Sequence, residues 1–179
     1  VLLTGTQLIE RAIKVQAGQT VLVTGALGSV ARVAVHVALS RGAKVIAGVK
    51  ASQREQALQL AVERVVALDD EQEMETVHDL DAVADTVGGA MAHRILQTLK
   101  DGGVYGTVVG APQQAPGRGI RVDAMAAMPD ASRLYQLAEE VARGQLQVPI
   151  AKTFPLAEIQ AATRLAESGG AGGKVVLLP

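Results

Sequence analysis

The sequence predicts an α/β protein: a doubly wound parallel sheet held between two helical layers, a three-layer α/β/α arrangement. Three observations carry that expectation. Strand-length apolar runs alternate with helical patterns along most of the chain, as in successive βαβ units. The strand runs are continuous in Val, Ile, Leu and Ala, which suits strands covered on both faces. Glycines stand at the junctions where strand must turn into helix.

Taken in order, Thr6 to Val15 places Leu8, Ile9, Ala12 and Ile13 at helical spacing, and Gly18 breaks the chain before a strand over Thr20 to Thr24. Gly25 leads into a helix marked by Val30, Val33, Ala34, Val37 and Ala38 and stopped by Gly42. Lys44 to Val49 is a second buried strand. A helix is expected over Ser52 to Val62, a strand over Arg64 to Leu68, and a short helix within the acidic run Asp69 to Asp79. Ala82 to Thr86 is the next strand. Met91 to Leu99 is helical with Gly102 and Gly103 as its stop, and Val104 to Val109 is strand. Ala111 to Gly119, rich in Pro, Gln and Gly, is a loop able to close over a ligand, followed by an edge strand at Ile120 to Met125. Pro129 opens a helix with Leu134, Leu137, Ala138 and Val141 on one face and Gly144 as its stop. Pro155 opens another that ends near Gly169, and Lys174 to Leu178 is the last strand. A domain boundary is expected between Gly144 and Pro155.

Composition excludes several classes of function. A formal net charge of -1 gives no excess to hold the chain on nucleic acid or on an anionic membrane. With no Cys there are no disulfides, no thiolate metal site and no Cys nucleophile, and a reducing, cytoplasmic location is expected. The three histidines, His36, His78 and His93, are too spread to form an obvious metal set and read as surface or second-layer residues. Asp69, Asp70, Glu71, Glu73 and Glu75 read as a solvated loop and helix face without chemistry.

Between the first strand and its helix, Gly25, Gly28 and Ala31 recur every third residue. That spacing has a chemical use. Gly25 permits the tight turn, Gly28 lets a pyrophosphate approach the backbone, and Ala31 lets the helix pack closely on the strand. The helix N-terminus offers free N–H donors and a positive dipole end to the anion. The rival reading is a plain strand-to-helix turn, or the same fold holding another nucleotide. NAD-specific sites put a carboxylate at the end of the second strand, about 20 residues beyond this turn. Here Gly48 and Val49 occupy that place, followed by Lys50, Ser52 and Arg54, so two cations and a hydroxyl favour the 2′-phosphate of NADP(H).

With those residues in view, the chain resembles the zinc-lacking quinone oxidoreductases and enoyl reductases of the medium-chain dehydrogenase/reductase superfamily. The likeness runs through Gly25-Ala26-Leu27-Gly28-Ser29-Val30-Ala31, Asp81 to Gly89, Lys100 to Gly106 with Val109-Gly110, Phe154 to Ile159, and Gly173 to Leu177. Ser29 and Ala31 stand where that family commonly has Gly. The resemblance implies a Rossmann-type domain over residues 1–150 and a C-terminal helix and strand over 151–179 that pack toward a GroES-like catalytic domain. Nothing in this sequence corresponds to that domain, so a chain truncated to the cofactor half is expected. The pyrophosphate would lie on Gly25, Ala26, Gly28, Ser29 and Val30, the adenosine phosphate on Lys50 and Arg54, and the nicotinamide beside Val87, Gly88, Val109 and Gly110. The implied activity is zinc-independent hydride transfer between NADPH and a small carbonyl, enone or quinone, with no proton donor named and a homodimer formed through the edge strand. Two rivals differ in kind. A short-chain dehydrogenase needs a Tyr four residues before a Lys, whereas Val109 follows Tyr105 and Glu139 follows Tyr135 at that distance. A dinucleotide sensor without turnover needs nothing the sequence lacks.

Overall fold

A computed structural model describes residues 1–112, 117–168 and 171–179. The N-terminal helix α1 (Leu2–Gln7) continues as a π-helical turn, Leu8–Ile13, and Lys14 reverses the chain in the left-handed region. Then follow β1 (Thr20–Thr24), α2 (Ser29–Ser40), β2 (Lys44–Val49), α3 (Arg54–Ala57), β3 (Arg64–Ala67), α4 (Glu71–Glu75), β4 (Leu80–Asp85), α5 (Met91–Gln97), β5 (Leu99–Thr107), β6 (Arg121–Ala124) and α6 (Ala131–Ala142). The remainder is β7 (Ile150–Pro155), α7 (Ile159–Glu167) and β8 (Lys174–Leu178).

Six strands form one parallel sheet in the order β3-β2-β1-β4-β5-β6, so the chain starts at the centre and winds outward in both directions. That is the doubly wound order, with its switch point between β1 and β4. Alternation along each strand divides the core in two. Val21, Val23, Val45, Ala47, Ala82 and Ala84 face the layer of α2 and the π-helical turn. Leu22, Ile46, Val66, Val83 and Tyr105 face the layer of α5. Both faces of β1 are therefore buried, which explains its unbroken apolar run.

Several elements depart from expectation. The helix expected over Ser52 to Val62 shrinks to a 3₁₀ turn, Ala51–Gln53, and the single turn of α3. Only Ala57 of that segment is buried and Leu58 is exposed, so no apolar face holds a longer helix; the Glu63 N–H instead joins the sheet at the Val45 carbonyl. Gly102 and Gly103 do not stop a helix but lie inside β5, where the register slips between Leu80↔Leu99 and Ala82↔Val104. The α6 helix is capped by Asp130, whose carboxylate accepts the Arg133 N–H at 2.9 Å, and it buries Leu137 while Leu134 and Val141 stay exposed. Pro155 ends β7, a strand with no counterpart in the sequence reading, and α7 starts at Ile159 after a 3₁₀ turn. Of the expected loop Ala111 to Gly119, residues 113–116 lie outside the described residues, as does Gly169. Arg118 pins the loop's end by donating to the carbonyls of Leu96 and Leu99 at 3.1 and 3.0 Å.

β7 and β8 make a separate two-stranded parallel sheet, with α7 as the crossover between them.

Candidate functional site

The carboxyl ends of β1, β2, β3 and β4 meet at a cleft of about 760 Å³, roofed by α7 and the segment entering β8. That volume suits a drug-sized to cofactor-sized ligand. Gly25, Leu27, Gly28 and Ser29 of the turn after β1 form its floor. Gly25 has φ +63, and a Cβ there would come within 2.9 Å of Val87 Cγ2, so a side chain is excluded by conformation and by space. Gly28 has extended φ and ψ and serves as the N-cap of α2. The first turn of α2 leaves the N–H groups of Ser29, Val30 and Ala31 without intrahelical acceptors. Ala26 behaves differently. It is buried and its N–H donates to the Gly48 carbonyl at 3.1 Å, so it braces the turn and has no donor for a ligand. Arg32, not singled out in the sequence, braces it from α2 by donating to the Leu27 carbonyl at 3.0 Å, and burial lowers its pKa from the usual arginine value.

At the β2 end, a Cβ on Gly48 would stand 2.9 Å from Leu68 Cδ2, and Val49 is buried. No acidic side chain fits at Gly48 without displacing Leu68. Lys50 lines the cleft and is exposed. Arg54 does not join it: its guanidinium is paired with Glu73, whose other carboxylate oxygen accepts the Ala67 N–H at 2.9 Å. The acidic run is thus more than a solvated face. Asp70 caps α4 by accepting the Glu73 N–H, and Asp69 lines the cleft while accepting the Ala51 N–H at 2.7 Å. Its position after a buried β3 strand was the available signal, since ligands in this fold gather at strand ends.

Across the cleft, Thr86 and Val87 form the wall after β4. Gly88 has φ +65, and a Cβ there would meet Val109 Cγ2 at 2.8 Å, so the exits of β4 and β5 touch. Val109 and Gly110 lie beyond that contact, against a neighbouring depression of about 670 Å³ that also touches His93. The structure therefore gathers Gly25, Gly28, Ser29, Lys50 and Val87 around one cleft. Val30 is not among the residues lining that cleft, and Arg54 is drawn away to Glu73.

Sheet order, glycine turn and cleft together define a Rossmann-type cofactor-binding domain. The chain belongs to the zinc-binding dehydrogenase family of the medium-chain dehydrogenase/reductase superfamily, whose family model matches residues 60–177. A curated Arthroderma benhamiae protein named "Probable zinc-binding oxidoreductase, mitochondrial" is 32% identical over 102 residues, 54% of this chain and 31% of that protein. The quinone oxidoreductase of Coxiella burnetii superposes with a TM-score of 0.85 at 26% identity, covering 98% of this chain and 57% of its own. A solved NAD-dependent alcohol dehydrogenase gives 0.86 at 25% identity, covering 99% and 56%. The chain thus spans little more than half the length of these solved enzymes.

The family's description names zinc, but the residues here do not supply a zinc set. There is no Cys; His36 bonds Glu140 at 2.6 Å, His78 bonds Asp79 at 2.8 Å, and His93 sits apart on α5. Among the described residues no three His, Asp or Glu side chains are grouped to hold a metal, and no helix is long and apolar enough to cross a membrane.

Proposed function

We propose that the cleft binds NADP(H) and that the chain is the cofactor half of a zinc-independent oxidoreductase acting on a small carbonyl, enone or quinone. The observation carrying this is the placement of the Gly25–Ser29 turn and Lys50 in one cleft at the strand ends. The residues fit the group. Gly25 and Gly28 leave room for a pyrophosphate, the first-turn amides of α2 donate to it, and Lys50 offers a cation to the 2′-phosphate. Since Arg54 is held by Glu73, Lys50 carries the phosphate preference alone. Val87, Gly88, Val109 and Gly110 would border the nicotinamide. Once bound, the cofactor supplies the hydride; the protein's part is to orient its reactive carbon and keep water away.

The division at residue 150 belongs to the same proposal. Residues 1–150 would supply the phosphate turn and Lys50, while 151–179 would close the cleft through Ala166 and the segment Ala171 to Val175 and turn their exposed apolar side chains toward a GroES-like catalytic domain that supplies the substrate side. The oxidoreductase names of the relatives favour an enzyme over a sensor. A homodimer would form through the outer edge of β6, the last strand of its sheet, and a monomeric mass in sedimentation would count against it. A cytoplasmic location rests on the absence of Cys.

One observation favours NAD(H) instead: Asp69 puts a carboxylate in the cleft where ribose hydroxyls could be accepted. Calorimetric titration with NADPH and NADH separates the two readings. NADPH should bind more tightly, and Lys50→Ala should remove about tenfold of that preference, with Arg54→Ala nearly silent. A wild-type preference for NADH, lost in Asp69→Asn, would overturn NADP(H) in favour of NAD(H).

A further inference from the structure

The last residue of β4, Asp85, is a fully buried carboxylate. Among the described residues no Lys, Arg or His pairs with it. Burying such a charge is costly unless donors replace its water. Four do. Oδ1 accepts the Thr24 hydroxyl at 2.7 Å and the N–H groups of Val87 and Gly88 at 3.1 Å each. Oδ2 accepts the Thr107 hydroxyl at 3.2 Å.

The identity of the donors matters more than their number. Thr24 ends β1 and precedes Gly25 of the phosphate turn; its hydroxyl also accepts the Thr86 N–H at 2.9 Å, and its carbonyl accepts the Thr86 hydroxyl at 2.8 Å. Val87 and Gly88 are the β4 exit. Thr107 ends β5, accepts the Val109 N–H at 3.2 Å, and stands 3.3 Å from the Gly110 carbonyl with one proton to give. The anionic oxygen is the stronger acceptor of that proton. One side chain thus links the phosphate turn to three of the four residues assigned to the nicotinamide side, Val87 and Gly88 directly and Val109 through Thr107.

We infer that Asp85 is a positioning residue for the nicotinamide half of the cofactor: it fixes the β4 and β5 exits relative to the phosphate turn and acts through their backbone. This rests on the cleft being a nicotinamide dinucleotide site. The adenosine end, built on Lys50 and the β2 exit, makes no bond to Asp85, so the two halves of the ligand should respond differently to its loss.

The test compares two probes by calorimetry on the full chain: NADPH, and 2′,5′-ADP, which carries the adenosine, the 2′-phosphate and one phosphate of the bridge but no nicotinamide. Wild type should bind NADPH more tightly, the ratio reporting the nicotinamide contribution. Asp85→Ala should weaken NADPH by about tenfold while 2′,5′-ADP stays within about twofold, and Asp85→Asn, which keeps the Oδ1 acceptor, should recover part of the loss. Should Asp85→Ala fail to fold, Thr107→Val cuts only the link to Val109 and should weaken NADPH about threefold, again sparing 2′,5′-ADP. Equal weakening of both probes, or an unchanged ratio in the variants, overturns the inference. So does a wild-type chain that binds the two probes equally, although the cleft then still stands as a nucleotide site. A wild-type chain that binds neither probe overturns the cleft reading and this inference with it.

Discussion

β2 and β8 are both short runs of Lys followed by aliphatic residues, Lys44-Val45-Ile46-Ala47 and Lys174-Val175-Val176-Leu177. In the six-stranded sheet every β2 residue after Lys44 is buried; in the two-stranded sheet no residue of β8 is, and Phe154 alone is buried in β7. A continuous apolar strand therefore reports a demand for cover, and whether the demand is met depends on what packs above and below. β2 lies between β1 and β3 with helices on both faces. β8 has one neighbour, β7, and one helix, α7, of which only Ala162 is buried. Leu156, Ile159, Leu177 and Leu178 remain at the surface.

The comparison can be broken most sharply by truncating one leucine in each sheet. Leu22→Ala in β1 should cost about 2–5 kcal/mol and lower the urea midpoint, whereas Leu178→Ala in β8 should stay within about 0.5 kcal/mol. Equal losses would mean that the small sheet is as tightly supported as the large one. A smaller, local effect is expected from Phe154→Ala, which removes the one buried side chain of β7, against which Lys152 Nζ also rests at 4.7 Å. Amide exchange in β7 and β8 should quicken by about tenfold, while β1 and β4 amides keep their protection. Exchange that quickens everywhere would show one cooperative unit.

The smallest effect is expected at Tyr105, on the core side of the large sheet. Its hydroxyl is buried and makes no well-formed hydrogen bond among the described residues, though it lies toward Asp85; burial, then the Asp85 charge and the pull of that carboxylate on the hydroxyl proton, push its pKa well above the ordinary 10.0. At neutral pH Tyr105→Phe should change stability by no more than about 0.5 kcal/mol, because the lost hydroxyl makes no well-formed hydrogen bond. The pH sign follows from the raised value. Folding favours the protonated phenol, so this contribution is complete below pH 10 and is lost as pH climbs above it, where only the unfolded chain ionises. Urea midpoints should fall less steeply above pH 10 in Tyr105→Phe; identical slopes would show that another group governs alkaline unfolding.

Much of the fold was legible in local signals. β1, β2 and β8 fall where Thr20–Thr24, Lys44–Val49 and Lys174–Leu178 predicted them, because glycines and charges bracket unbroken aliphatic runs. The strand-to-helix turn after β1 was legible too, since Gly25 takes the left-handed backbone conformation that the glycine spacing led one to expect. β7 was not. Ile150-Ala151-Lys152-Thr153 alternates weakly and lies exposed, and only its pairing with β8 makes it a strand. Arg54 looked free for a phosphate because Glu73 is distant in sequence, and Asp69 looked idle because it was read with the acidic run that follows it and not with the strand end that precedes it.

The sequence by itself determined the parallel α/β class, the strand-to-helix turn and the family resemblance, all of which depend on residue type and spacing over short distances. The tertiary structure decided which charges were available, which apolar faces stayed uncovered, and that Asp85 joins the ends of three strands. Those outcomes depend on contacts between residues far apart in sequence, such as Thr24 and Asp85, 61 positions apart, and they exist only once the sheet has brought the strand ends side by side.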